Sequence, residues 1–386
     1  MTSGLVLAWL LSLVMVWLFA SRTRPHPDAQ TPLETLPPGS LAELRADRDL
    51  MGRILETMRE GVLVLSAKNR IVLFNQALRE MLFLSGDFLG RSLIEIIRSA
   101  DLQALADRTR ALGGKAESEF DLGGVRPRRL SVQAIPLVGE SGGILLVVID
   151  VTEMRRLETL RRDFVANVSH ELKTPVTAIR SAAETLQDGA LKDPSHALSF
   201  VNMIERNAGR LQDLVEDLLQ LSRIESRALQ LRIEPVSVIQ IAQSVTQLFA
   251  ERASKKHISL NLEIPSEVQV QADVRAIEQV LSNLIDNAVK YCSAETAITV
   301  SAVVHDDTVA IRVADEGAGI EAKHLPRLFE RFYRVDAGRA REVGGTGLGL
   351  SIVKHLVEAM DGSVTVESEL GHGTIFVVTL PKPQST

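Results

Sequence analysis

Apolar positions recur with several different periods along the chain, and each period predicts a different element. Between Leu5 and Ala20 the only polar residue is Ser12. With Ser3, Gly4 and Ser21 the run reaches about 28 Å as a helix, close to the ~30 Å of a bilayer core. Arg22 and Arg24 follow it and no basic side chain precedes it. The positive-inside rule therefore predicts one membrane pass over residues 1–21, with the carboxyl side in the cytoplasm. A cleaved signal peptide is the competing reading, but the basic n-region is missing and the rest of the chain reads as cytosolic. Pro25, Pro27, Pro32, Pro37 and Pro38 predict an extended linker over 22–45, with folding resuming near Leu41.

Past the linker the period shortens. "EGVLVLSAKNRIVLFNQALREML" reads as strand, turn at Lys68 and Asn69, strand, and a helix begun near Asn75. "RRLSVQAIPLV" and "GGILLVVIDVTE" read as two antiparallel strands. Together they predict a small α+β domain over 46–150.

From Glu153 to Asp188 the apolar residues step by three or four: Leu157, Leu160, Phe164, Val168, Leu172, Val176, Ile179, Ala183, Leu186. This is a helical stripe. Gly189 breaks it, and Asp193 with Pro194 starts a second helix. That helix carries a heptad through Val201, Ile204, Ala208, Leu211, Val215, Leu218 and Ser222, flanked by Leu214 and Leu221. One hairpin cannot cover so much apolar surface, so residues 151–228 predict a dimeric four-helix bundle. Residues 235–382 then alternate strands ("ISLNLEI", "AITVSAVV", "VAIRVAD", "GSVTVES", "TIFVVTL") with helices, an α/β sandwich with helices on one sheet face.

Composition narrows the function. With 43 basic against 49 acidic residues and no dense basic block, direct nucleic-acid binding is not expected. The single cysteine, Cys292, excludes an internal disulfide. None of the eight histidines has zinc-ligand spacing. Residues 46–150 hold no His, Cys, Trp or Tyr, which excludes a histidine-ligated haem and a flavin-thiol adduct there.

Candidate chemistry concentrates in two regions. In "FVANVSHELKTPVTAIR" (164–180), His170 lies roughly 200° around the helix from both Val168 and Leu172, away from the apolar stripe. A histidine's ordinary pKa of about 6.5 leaves neutral imidazole abundant at pH 7, with one ring nitrogen free to attack. Glu171 can accept the proton on the other nitrogen, and Thr174 can orient a water toward a phosphorylated ring. An exposed helical histidine by itself is most often plain solvated surface. The second region has no GxxxxGK loop. Instead Asn283, Asn287 and Lys290 share one side of a helix with Tyr291 beside them, a row able to hold Mg²⁺ and phosphates. "DEGAGI" (315–320) ends a strand with a carboxylate that can accept the amino group of a flat base. "GGTGLGLSIVKHL" (344–356) is a glycine-rich turn opening a helix, suited to a phosphate tail.

These strings resemble known families. "NRIVLFN" with "DVTE" at the exit resembles a PAS sensor domain. "FVANVSHELKTPVTAIR" resembles the phosphoacceptor box of bacterial sensor histidine kinases. That likeness implies His170 as acceptor, Glu171 as proton acceptor and Thr174 in phosphatase turnover. The three later motifs resemble the N, G1 and G2 boxes of the Bergerat-fold ATP site, with "LFERFYR" (328–334) as the F box. The resemblance implies ATP and Mg²⁺ as cofactors and Asn287 as the metal contact. It implies Asp315 as the adenine contact, with Gly317, Gly319 and Ile320 beside it, and Gly345, Thr346, Gly347, Leu348 and Gly349 as the phosphate turn. It also implies a lid over about 322 to 346, Arg334 included, and Thr374 in "GHGTIF" as a residue near adenine.

Gyrase-like and chaperone ATPases share this fold but carry a glutamate at the position of Asn283, where a base activates water; an amide cannot take that proton. A catalytically inactive membrane scaffold is the other alternative. The resemblance further implies a homodimer in the bacterial inner membrane whose partner is the receiver domain of a response regulator. The strings "RRDFVANVSHELKTP" and "FERFYRVDAGRAREVGGTGLGLSIVKH" are most similar to the phosphate-regulon (PhoR-type) sensor kinases, which implies a phosphate transporter complex as a further partner.

Overall fold

The computed structural model describes residues 38–383 apart from 85, 98, 124–126, 138–141, 190–192, 226–229 and 336–344. The expected membrane segment and most of the linker lie outside these residues. Among the described residues no helix is long and apolar enough to cross a membrane. The end of the expected linker is helical: α1 (Pro38–Thr57) starts on a proline. Proline suits a first helical turn, where its missing N–H would have no partner anyway. The chain divides at Leu157/Glu158 into two compact units.

The first unit is built on β1 (Gly61–Leu65), β2 (Ile71–Phe74), β3 (Ala116–Leu122), β4 (Arg128–Pro136) and β5 (Ile144–Asp150), in the order β2-β1-β5-β4-β3. Every pairing is antiparallel. Leu63, Leu65, Val132, Ala134, Leu146 and Val148 form one face. Against them pack Leu78 of α2 (Gln76–Met81), Leu93 of α3 (Leu93–Ile97), and Leu102 and Leu105 of α4 (Ala100–Leu112). Asn75 caps α2 and is buried. Its Oδ1 accepts from Val62 N (2.8 Å) and Leu78 N (3.1 Å), and its Nδ2 donates to Leu55 O and Glu60 O, both at 2.9 Å. With every donor and acceptor engaged, this amide carries little burial penalty. At the exit, Asp150 accepts from Thr152 N at 3.0 Å, and Glu119 pairs with both Arg129 and Arg155.

The second unit opens within α5 (Thr152–Gln187), which forms a hairpin with α6 (Pro194–Glu225). Helix α5 runs unbroken through Pro175, which is buried. The sandwich follows: β6 (Glu234–Ser237), α7 (Val238–Lys255), β7 (Ser259–Glu263), β8 (Gln269–Ala272), α8 (Val274–Tyr291), β9 (Ala297–Val304), β10 (Thr308–Asp315), α9 (Gly349–Ala359), β11 (Ser363–Glu369) and β12 (Gly373–Pro381). The main sheet runs β11-β12-β10-β9-β7, with only β7–β9 parallel. Ile298, Val300, Ile311, Val313, Phe376 and Val378 alternate onto its inner face. There they meet Ile241 and Val245 of α7, Leu281 and Ile285 of α8, and Ile352 and Val353 of α9. Helices therefore cover one face, the arrangement expected from the alternating strands. A separate antiparallel pair, β6–β8, was not anticipated.

Candidate active site

His170 and Thr174 are exposed on α5. Glu171 is turned a further 100° around the helix, toward α6, and its Oε2 accepts from Arg210 at 2.8 Å. Both side chains are about four-fifths buried. The carboxylate expected to serve the imidazole is thus already engaged by a guanidinium on the neighbouring helix. The Thr174 hydroxyl donates to His170 O at 3.1 Å, a bond back to the preceding turn.

The nucleotide candidates converge at one end of the sandwich. Asn283, Asn287 and Lys290 are half-buried along α8, and Tyr291 closes it, exposed. Asn283 Nδ2 donates to Gly349 O at 3.4 Å, bringing α8 against the start of α9. A Cβ at Gly345 would stand 4.0 Å from the Tyr291 hydroxyl. Lys290 is not free: its Nζ lies 2.6 Å from Asp286 Oδ2, while Arg252 takes the other oxygen at 2.7 Å.

Asp315 ends β10 opposite Thr374 of β12. Burial pushes its carboxyl above the ordinary range, opposed by hydrogen bonds from the backbone of Gly317 (2.9 Å) and Thr374. Glycine is required around it. A Cβ at Gly319 (φ +69°) would overlap Glu369 O at 2.0 Å, and one at Gly317 would come within 2.7 Å of the Asp315 carboxylate. Ile320 N donates to Ser368 Oγ at 2.9 Å, and that hydroxyl donates to Gly373 O at 2.7 Å. Its one proton is then committed, so the buried Thr374 hydroxyl, 3.0 Å away, donates to it.

The phosphate-turn candidates, Gly345 to Gly349, lead directly into α9. Gly347 has φ +74°, and its O accepts from Phe332 N at 2.8 Å. Leu348 is fully buried, and its N–H donates to the Thr346 hydroxyl at 3.2 Å. In the lid candidate, Tyr333 OH meets His324 Nδ1 at 2.6 Å, and Arg334 is half-buried. The lid's 336–344 portion lies outside the described residues. The lobe also touches the hairpin, where the Phe332 ring lies 5.8 Å from that of Phe164 and Arg331 sits over the same Phe164 ring. Phe164 precedes His170 by six residues, about 9 Å along the helix.

For Mg²⁺ the implied donor is the amide oxygen of the half-buried Asn287. A hard cation that keeps several waters and takes its other ligands from substrate phosphates accepts such a donor. Among the described residues no three His, Cys, Asp or Glu side chains group as a metal cage.

Three family profiles match in the order of these elements. "PAS fold" matches residues 49–151, "His Kinase A (phospho-acceptor) domain" residues 160–227, and "Histidine kinase-, DNA gyrase B-, and HSP90-like ATPase" residues 272–384. The chain thus carries matches to a PAS fold, a phospho-acceptor domain and a histidine kinase-type ATPase domain, in that order. Sensor histidine kinase WalK of Bacillus subtilis is 33% identical over 347 residues, 88% of this chain and 56% of that protein. Sensor protein SrrB of Staphylococcus aureus is 29% identical over 88% of this chain and 57% of its own length. The chain thus spans little more than half the length of these curated relatives. Among solved structures, Acinetobacter baumannii histidine kinase AdeS is 30% identical with a TM-score of 0.46, covering 56% of this chain and 98% of that one. Histidine kinase ThkA in complex with response regulator protein TrrA is 23% identical with a TM-score of 0.48, covering 86% and 98%.

Sequence reasoning missed four residues that shape the candidate site: Arg210, which engages Glu171; Ser368, which ties Ile320 to Thr374; Phe164, which meets the lid candidate; and Asp217. Asp217 Oδ2 accepts the Thr346 hydroxyl at 2.6 Å. Only the Phe164 stripe position was visible beforehand, and it read as core.

Proposed function

We propose that this kinase uses ATP to phosphorylate its own His170 and passes the phosphoryl group to an aspartate of a response regulator's receiver domain. The observation that carries the reading is the exposed His170 on the same helix as Phe164, the residue against which the ATP lobe's Phe332 packs. A neutral ring nitrogen of His170 attacks the γ-phosphorus, an N–P bond forms, and the P–O bond to the departing ADP breaks. The proton on the other ring nitrogen goes to Glu171, once Arg210 yields part of its hold, or to water. Asp315 orients the base, and Gly345 to Gly349 receive the phosphates on backbone N–H groups at the α9 N-terminus. Mg²⁺, held through Asn287, supplies neutralisation of the phosphate charge. Thr174 orients a hydrolytic water in the reverse, phosphatase direction. Asn283 favours transfer over the gyrase or chaperone type of ATP hydrolysis, because an amide is no general base.

The same reading makes the protein a homodimer through its hairpin, anchored in the bacterial inner membrane by residues 1–21. Phosphate status as the input, through a transporter complex, is supported only by the two strings noted above; the named relatives are a WalK and an SrrB.

The full chain incubated with Mg-ATP should acquire an acid-labile, base-stable phosphoryl label, and His170→Gln should acquire none. A label retained by His170→Gln would refute the assignment.

A further inference from the structure

The glycine-rich loop is engaged from outside its own lobe. Asp217 lies on α6 of the hairpin, half-buried, and accepts the Thr346 hydroxyl at 2.6 Å. The same Thr346 oxygen accepts Leu348 N, the residue just before α9. A carboxylate oxygen therefore stands beside the entrance to a helix N-terminus, the environment that favours an anion. The groups around it are Asp213 and Glu216 on its own helix and Lys290 from α8. Lys290 is already paired with Asp286, so it offsets Asp217 only in part.

We propose that Asp217 is a latch on the nucleotide site: its carboxylate holds the Thr346 hydroxyl in place of a nucleotide phosphate, and ATP must displace it to bind. The proposal rests on the reading of Gly345 to Gly349 as the phosphate turn. Two anions compete for one donor set, so seating the phosphates frees the loop from α6 and releases the lobe from this docked position. A hairpin that changes the position of α6 then changes ATP affinity, which gives the upstream domain a route to the kinase reaction without touching His170. Burial, which raises the Asp217 carboxyl above its ordinary range, favours the same release, because a charge kept in a half-dry contact gains by returning to water.

The test compares ATP, ADP and adenosine binding to the full chain and to Asp217→Asn, which keeps the shape and removes the charge, with Asp217→Ser as a second variant. Both variants should bind ATP and ADP at least about threefold more tightly while adenosine, which carries no phosphate, binds as before. Unchanged or weaker ATP binding would overturn the latch, as would an equal change for all three ligands. In the unaltered chain, carbodiimide labelling of Asp217 should rise when ATP is added; constant labelling also overturns it. A chain that binds no ATP in any form removes the kinase reading and the latch together, whereas ATP binding unaffected by both variants removes the latch alone.

Discussion

Burial holds the Asp315 carboxyl above the ordinary carboxylate range, although two backbone N–H groups stabilise its ionised form. A native pKa above the unfolded value means the fold binds that proton more tightly than the open chain does. The ionised group therefore costs stability at neutral pH, and the cost fades as pH falls through the raised value toward the ordinary one. Such a cost is tolerated where a ligand needs the charge. Asp315→Asn should accordingly leave the fold as stable as the parent or more so at pH 7, with the difference shrinking in acid. Its ATP affinity should fall by about tenfold or more, since a hydrogen bond to a charged acceptor contributes ~1.5–3 kcal/mol and the amide turns a donor toward donors. Thermal unfolding across pH, set beside nucleotide titrations, checks both halves; loss of stability without loss of affinity would make Asp315 a structural residue.

Within the proposed phosphate turn, the two glycines on either side of Leu348 look equivalent in sequence and are not. Gly347 sits at φ +74°, and a Cβ there would come within 2.9 Å of Phe332 Cα, backbone that cannot swing aside. Gly349 opens α9, and its Cβ would meet only Asn283 Oδ1 at 3.6 Å, ordinary contact. Gly347→Ala should therefore part the turn from the lid, costing ~1–2 kcal/mol for the left-handed conformation alone, and weaken ATP binding several-fold. Gly349→Ala should unfold at the parent temperature or slightly above, and comparable ATP loss in both variants would refute the distinction. The turn itself was legible because glycines followed by an apolar helix have one strong reading. The two hairpin helices and the five strands of the main sheet were legible because their apolar periods persist over many residues, whereas α1, α3 and α4 were not read as helices. Strands β6 and β8 were not: "EPVS" and "QVQA" are four residues long, too short for an alternation to be recognised. Asp217 and Arg210 were equally hidden, since each reads as the polar side of a heptad helix and acquires its role only from a partner distant in sequence.

On the scale of the second unit, the sandwich has a continuous buried core and the hairpin leaves much of its apolar stripe exposed. Helix α6 sets Leu214 and Leu221 into the sandwich core, yet Leu160, Val176, Leu198, Val201, Val215 and Leu219 remain exposed on the two helices. Val201 and Val215 stand two heptads apart, hence on one face, and are 48% and 44% exposed in the single chain. Completing their burial is worth a large part of the ~1.5–3 kcal/mol each such side chain can contribute, and a twofold axis doubles every contribution. A second hairpin laid against the first would cover this face and form the four-helix bundle that the heptad implies. Charges placed there would have to be buried in that bundle, while the sandwich core, which neither valine joins, would be untouched. The double variant Val201→Asp, Val215→Asp should therefore sediment as a monomer under conditions where the parent sediments as a dimer, and should bind ATP as the parent does. A variant that remains dimeric would move the interface elsewhere on the chain, and one that loses ATP binding together with the dimer would mean that the lobe depends on the bundle for its fold.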